Sequence, residues 1–272
     1  MTPPPPRAVT FDATGTLFHV PRLAEIYREV LARHGIAAAP QDLAGLIPRV
    51  WQELACAVEL GSDRFAAHPE GARGWWRRFL ERRCEHLEAP PPSPFAAAEL
   101  YARFARGDAY RVFPEVPGVL AALAARGVPL GVVSNWDGRL PGVLADLGLA
   151  RFFDVVVVSY EVGVEKPHPA IFERALDALR LPPEQVLHVG DRVREDVEGA
   201  LALGMEALLL VRPDTPEGRK VAAASGGGGD LADLTPLPGL VAAPADPSAG
   251  SGRGGHGPEG GSGRPGGRRG AW

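Results

Sequence analysis

Only two cysteines, Cys56 and Cys84, occur in 272 residues. They are too few for a disulfide framework or a cysteine-ligated zinc site. Both fall in helical patterns, which reads them as buried free thiols. No apolar run approaches the roughly 18 residues of a membrane span. The Pro-rich opening is followed by no signal-peptide apolar stretch. The chain therefore reads as cytoplasmic, with no membrane partner. Charge of either sign is scarce in excess: the net value is −4, which leaves no electrostatic footprint for nucleic acid.

Glycine and proline are what the chain has in quantity, 34 and 28 residues, and they are unevenly placed. Residues 1–6 are a Pro-rich leader, and 242–272 are Gly, Pro, Ser and Arg with almost nothing to bury. Such a tail cannot repay the entropy of ordering and is expected to be disordered. Its arginines, Arg253, Arg264, Arg268 and Arg269, are too dispersed to argue for a nucleic-acid-binding arm. The whole chain is 45% hydrophobic and 23% charged, ordinary for a globular protein.

Residues 8–11, Ala-Val-Thr-Phe, read as a short buried strand that ends in a carboxylate, Asp12, and a turn of Thr14, Gly15 and Thr16. From Pro21 the apolar period changes from two to about 3.6. Four helical stretches follow: to His34, to Val58 with a stop at Gly61, to Leu87, and from about Phe95 to Arg106. No strand signal interrupts 20–107. Trp75 and Trp76 read as core of that helical region, with a substrate shelf as the alternative. Beyond Val116 the pattern alternates, with strands at 128–133, 152–158, 185–189 and 206–211 and helices at 116–126, 140–147, 170–179 and 193–203. That alternation, with near-continuous apolar strands, predicts the α/β class and a parallel sheet covered on both faces. Leu231 to Leu240 reads as a short closing helix.

The residues that end these strands carry chemistry. Strand one ends at Asp12, strand two at Ser134 and Asn135. Glu165-Lys166-Pro167 follows strand three, and Gly190-Asp191 ends strand four, with Asp196 just beyond. Open α/β sheets bind ligands outside these carboxyl ends. Asp12 is a candidate nucleophile toward phosphorus. Asp12 and Asp191 side by side would repel, and a bound Mg²⁺ with oxygen ligands resolves that, with the Thr14 backbone carbonyl as a further ligand. Ser134 can donate to a phosphoryl oxygen, and Lys166 supplies positive charge for the transferring group. Asp196 orients Lys166 or caps a turn; Asn135 holds substrate or shapes the turn. Asp137 reads as a helix N-cap, and His168 and His188 as structural.

Four motifs in order, Asp-Ala-Thr-Gly-Thr at 12–16, Ser-Asn at 134–135, Lys-Pro at 166–167 and Gly-Asp with a following Asp at 190–196, resemble those of the haloacid dehalogenase (HAD) superfamily, in its branch with an α-helical cap inserted after motif one. The resemblance covers roughly residues 7–212. It implies a Rossmann-like core from 7–19 and 108–222, a helical cap over 20–107, a linker and closing helix over 223–241, and the tail over 242–272. It also implies Mg²⁺, an aspartyl-phosphate at Asp12, and a small phosphorylated metabolite as substrate. The sequence leaves the oligomeric state open.

One position departs. Phosphatases of this family usually carry a second Asp two residues after the nucleophile, as acid and base, and here it is Thr14. A threonine hydroxyl cannot do that work near neutral pH, and general acid–base help is typically worth about 10²–10⁴-fold. Phosphates with good leaving groups, which need no acid, are therefore the expected substrates. His19 is an alternative acid, or only a residue of the link to the cap. Two rival functions share the fold: a metal-free 2-haloacid dehalogenase, which also lacks the second Asp, and a catalytically poor binding protein.

Overall fold

The computed structural model describes residues 5–55, 61–213 and 229–242. The leader through Pro4, the predicted end of the second helix (Cys56 and Val58 included), and the tail beyond Ala242 lie outside the described residues. The strands are β1 (Ala8–Phe11), β2 (Phe18–His19), β3 (Arg111–Val112), β4 (Leu130–Ser134), β5 (Val155–Val158), β6 (Val186–Gly190) and β7 (Glu206–Leu209). The helices are α1 (Leu23–Arg33), α2 (Pro40–Ala55), α3 (Gly71–His86), α4 (Pro94–Arg103), α5 (Val116–Ala125), α6 (Leu140–Asp146), α7 (Ser159–Val162), α8 (Pro169–Leu179) and α9 (Gly199–Ala202).

Five strands form one parallel sheet in the order β5-β4-β1-β6-β7. The three central strands are buried along their whole length, as both faces demand. Alternation sorts their side chains. Val9, Phe11, Leu130, Val132, Leu187 and Val189 join one core with α5, α6 and the segment 229–242. Ala8, Val133 and Val186 join a second with α8 and α9. Register fixes the rim: Phe11 lies beside Val132 and Val189, Ser134 beside Val158, and Gly190 beside Leu209. Thus Asp12, Ser134 and Asp191 leave the sheet at the same edge.

The first strand hands the chain to α1–α4, whose apolar faces continue the first core. A two-stranded antiparallel ribbon, Phe18 opposite Val112 and His19 opposite Arg111, brackets this helical cap. The sequence pattern did not reveal the ribbon, whose strands are two residues long. His19 sits in it, stacked on Phe113 with ring centroids 4.9 Å apart. Cys84 is buried in α3, as expected of a free thiol.

Two further expectations need correction. Residues 193–203 are not one α-helix: Val193–Glu198 form a π-turn before α9. The closing helix shrinks to a single turn, Leu237–Leu240. Leu231 instead bridges Leu210 in parallel fashion, and Pro236 and Pro238 prevent a longer helix by removing N–H donors. Leu231, Leu234, Leu237 and Val241 are nonetheless buried.

Candidate active site

Asp12 follows β1, its backbone N–H fixed on Val189 O at 2.9 Å. Its Oδ1 accepts from Ser134 Oγ and from Lys166 Nζ, each at 2.8 Å. Lys166 Nζ also donates to Val133 O at 2.8 Å and to Asp196 Oδ1 at 2.5 Å, so the ammonium's three donors are all used. Burial alone would push this ammonium's pKa down. The Asp12 and Asp196 carboxylates outweigh burial and hold it above its ordinary range. Asp196 is itself buried, which opposes ionisation, but Lys166 and then His188 keep it below the usual carboxylate range. Its second oxygen accepts the Arg192 N–H at 2.9 Å.

His188 closes the network from below. Nε2 lies 3.3 Å from Asp196 Oδ1 and Nδ1 lies 2.9 Å from Thr10 Oγ1. Burial first, and the Lys166 charge after it, push its pKa down. A neutral ring with Nε2–H toward Asp196, accepting the Thr10 hydroxyl at Nδ1, satisfies both contacts. His188 is thus structural, with a line of contact through Asp196 to Lys166. His168 is also structural: it caps α8 by accepting the Ala170 N–H.

Asp191 follows β6, and no hydrogen-bond partner reaches its buried Oδ1 among the described residues. Burial, then the charges of Asp12 and Asp196, push its carboxyl up to about 8. Gly15 makes room for it: at φ +93° a Cβ there would fall 2.3 Å from Asp191 Oδ2. Gly190 does the same for Asp196, where an added Cβ would meet the carboxyl carbon at 2.2 Å. Gly190→Ala must therefore displace Asp196 from Lys166. The expected cost is about 1–3 kcal/mol of stability, to be read from denaturant unfolding; an unchanged midpoint would show that the site yields without loss.

Asn135 braces the backbone of Lys166. Its Nδ2 donates to Lys166 O at 3.1 Å, and its Oδ1 accepts the Lys166 N–H at 2.7 Å. Both ends of the amide are used to fix the backbone that carries the lysine. Thr14 is exposed at the mouth of the site, and Trp136 Nε1 donates to its Oγ1 at 3.1 Å. Asp137 is not the helix N-cap expected: α6 begins from Arg139 with no side-chain cap, and Asp137 instead accepts the Arg139 N–H in the turn before it. It also holds the Arg139 guanidinium and accepts from Trp76 Nε1 at 2.7 Å. Trp75 is buried cap core, whereas Trp76 is half-buried and lines the cavity.

Sequence reasoning missed three residues that hold the site in place. Trp136 stands on Thr14. Arg212, just past β7, donates to Gly15 O and Thr16 O at 3.1 and 2.7 Å, and pairs with Glu115 at 2.7 Å. Arg64, in the cap loop, grips Glu165 with its guanidinium and backbone N–H, tying the cap to the loop of Lys166. The only sequence signal for the arginines was an isolated charge next to an apolar element.

A parallel α/β core with an inserted helical cap, and a lysine ringed by aspartates at the strand ends, defines a class: the capped Rossmann-like hydrolases. The family of haloacid dehalogenase-like hydrolases matches residues 6–204, and the chain belongs to it. It is 31% identical over 217 residues to the human Haloacid dehalogenase-like hydrolase domain-containing protein 3, covering 76% of this chain and 82% of that one. To the Glyceraldehyde 3-phosphate phosphatase of Methanopyrus kandleri it is 33% identical over 215 residues, covering 76% and 84%. Its fold is similar to that of L-2-haloacid dehalogenase from Xanthobacter autotrophicus, with a TM-score of 0.62 at 22% identity, over 86% of this chain and 98% of that one. Among the described residues no helix is long and apolar enough to cross a membrane.

Proposed function

We propose that this hydrolase is a Mg²⁺-dependent phosphomonoesterase that carries the phosphoryl group on Asp12. One observation supports the reading above the rest. Lys166 is locked between Asp12 and Asp196, while the neighbouring Asp191 keeps a buried oxygen with no hydrogen-bond partner among the described residues.

That oxygen is the test of fit for a cation. Among the described residues no group of three or more His, Cys, Asp or Glu side chains forms a metal cluster. Mg²⁺ does not require one, since it commonly takes one or two carboxylates plus phosphate and water. Asp12, the Thr14 backbone carbonyl and Asp191 are the oxygen donors that would hold it. Bound there, the ion would neutralise the crowded carboxylates and the substrate's charge.

The chain's own groups do the rest. Lys166 and Ser134 both bond Asp12 Oδ1, so Oδ2 is the oxygen directed at phosphorus. The Oδ2–P bond forms as the bond from phosphorus to the leaving oxygen breaks. Lys166 offsets the charge gathered on the transferring group, Asp196 keeps the lysine charged, and Asn135 sets its backbone. Ser134 gives its one hydroxyl hydrogen to Asp12 Oδ1 and so aligns the nucleophile. Water then releases inorganic phosphate from Asp12. Thr14 gives neither the leaving oxygen nor that water a proton-transfer partner. A relative that is a glyceraldehyde 3-phosphate phosphatase supports the substrate class.

The test is phosphate release from a panel of phosphorylated metabolites, with Mg²⁺ and with chelator. Asp12→Asn is expected to lower the rate by about 10⁴-fold or more, as loss of a nucleophile does. Thr14 also suits a metal-free 2-haloacid dehalogenase, but such a site gains nothing from Asp191 beside Asp12. Halide release in chelator, without phosphatase activity, would install that reading instead. An Asp12→Asn protein unchanged in every measured property would leave only a binding protein.

A further inference from the structure

We propose that the alcohol this site releases is aromatic, with its ring seated in the cap beyond Asp12; this rests on the phosphatase reading above. A cavity of about 310 Å³ runs from Asp12, Lys166 and Asp191 into the helical cap. Past the carboxylates its wall is built from rings, among them Tyr27, Trp51, Trp76, Phe79, Phe104 and Trp136. These rings brace one another: Trp76 meets Phe79 edge to face at 5.5 Å and Trp51 at 5.9 Å. A wall of mutually packed rings is preformed and apolar.

Three of the polar side chains that line it are already engaged. Asp137 is held by Trp76 and Arg139, Arg139 by Asp137 and Tyr101 O, and Arg64 by Glu165. A sugar or other polyol phosphate would lose water from several hydroxyls there and regain few hydrogen bonds, a heavy penalty per group. Arg192 and Glu195 also line the cavity, but they flank Asp191 and Asp196 in the chain and so belong to its carboxylate end rather than to the wall of rings.

The leaving-group chemistry agrees from an independent direction. When Asp12 Oδ2 bonds to phosphorus, the P–O bond to the alcohol breaks and its electron pair stays on that oxygen. A phenol-like alcohol, with a pKa near 10, departs as the anion and takes its proton from water afterwards. An alkyl alcohol would need a proton donor that Thr14 does not provide.

The experiment has two arms. Turnover with Mg²⁺ is compared for 1-naphthyl phosphate, acetyl phosphate and sorbitol 6-phosphate. Binding to the Asp12→Asn protein is compared for naphthylmethylphosphonate and methylphosphonate, read by titration calorimetry. The naphthyl ester should exceed the polyol ester in kcat/KM by about 100-fold or more, and the naphthyl phosphonate should bind about 30-fold tighter than the methyl one. Ala97→Phe, which fills the cavity from half-buried Ala97, should lower the naphthyl-to-acetyl ratio about 10-fold. Equal binding of the two phosphonates, or a polyol ester turned over as fast as the aryl one, overturns this inference and leaves the phosphatase reading standing. Absence of phosphate release from every ester overturns the phosphatase reading, and this inference with it.

Discussion

Thr14→Asp raises the turnover of an alkyl phosphate by about 10²–10⁴-fold, the range that general acid–base catalysis supplies. Position 14 lies at the exposed mouth of the site, two residues from Asp12, the proposed nucleophile. The Trp136 indole N–H already points at its side-chain oxygen, 3.1 Å away. A carboxylate placed there would accept that same hydrogen bond. Hydrogen bonding to the charged form lowers a carboxyl pKa, so the new aspartate starts out ionised, as a base. The first step to quicken is therefore release of phosphate from Asp12 by water. In rapid-mixing experiments the wild-type chain should give a burst of aryl alcohol followed by a slow steady rate, and Thr14→Asp should shrink the burst by speeding the second phase. Adding Trp136→Phe removes the donor, lifts the new carboxyl's pKa and moves the gain toward protonation of alkyl leaving groups. An unaltered burst together with an unaltered alkyl rate would show that the missing acid is not what limits this enzyme.

How much of this was legible in the sequence follows from the physics of parallel sheets. Each central strand is a short, mostly apolar run, and parallel strands must end at one rim. The residues that end them could therefore be named together: Asp12, Ser134, Asp191, and Lys166 beyond the next loop. What could not be read is how each side chain is used. Asn135 looks the same in sequence whether its amide meets a substrate or, as here, the Lys166 backbone. Arg212 and Arg64 act on residues about two hundred and one hundred positions away, and no local pattern encodes such pairings. The apolar spacing of Leu231, Leu234 and Leu237 mimics one long helix, yet only Leu237 lies in a helical turn, and Pro236 keeps that turn from extending back to Leu231. The π-turn at Val193–Glu198 is too short for its apolar spacing to be told from that of an α-helix, although its bonds run one residue further along the chain.

Asp191→Asn is expected to stabilise the metal-free protein while removing its response to Mg²⁺. The carboxyl's ordinary pKa of 3.8 is pushed up to about 8 in the fold, so the folded state holds a proton that the unfolded chain gives up. Where the folded pKa is the higher, this group favours folding fully below about pH 4. That contribution is lost as pH rises, and is gone once pH passes 8. Asparagine keeps the shape and does not titrate, so the variant's advantage should be small near pH 4, widen toward pH 8 and then level off. At neutral pH it should be on the order of 4 kcal/mol, read from denaturant unfolding in chelator. Mg²⁺ reverses the comparison, because a ligand of the folded state alone stabilises it by mass action: the wild type should gain with added Mg²⁺, and Asp191→Asn should not. Cation binding to the wild type should release a proton below pH 8, so its apparent affinity should fall about tenfold for each pH unit below that point. A wild type that Mg²⁺ leaves unmoved, or a variant no more stable than wild type at pH 8 in chelator, would mean that the buried carboxylate beside Gly15 is not waiting for a cation.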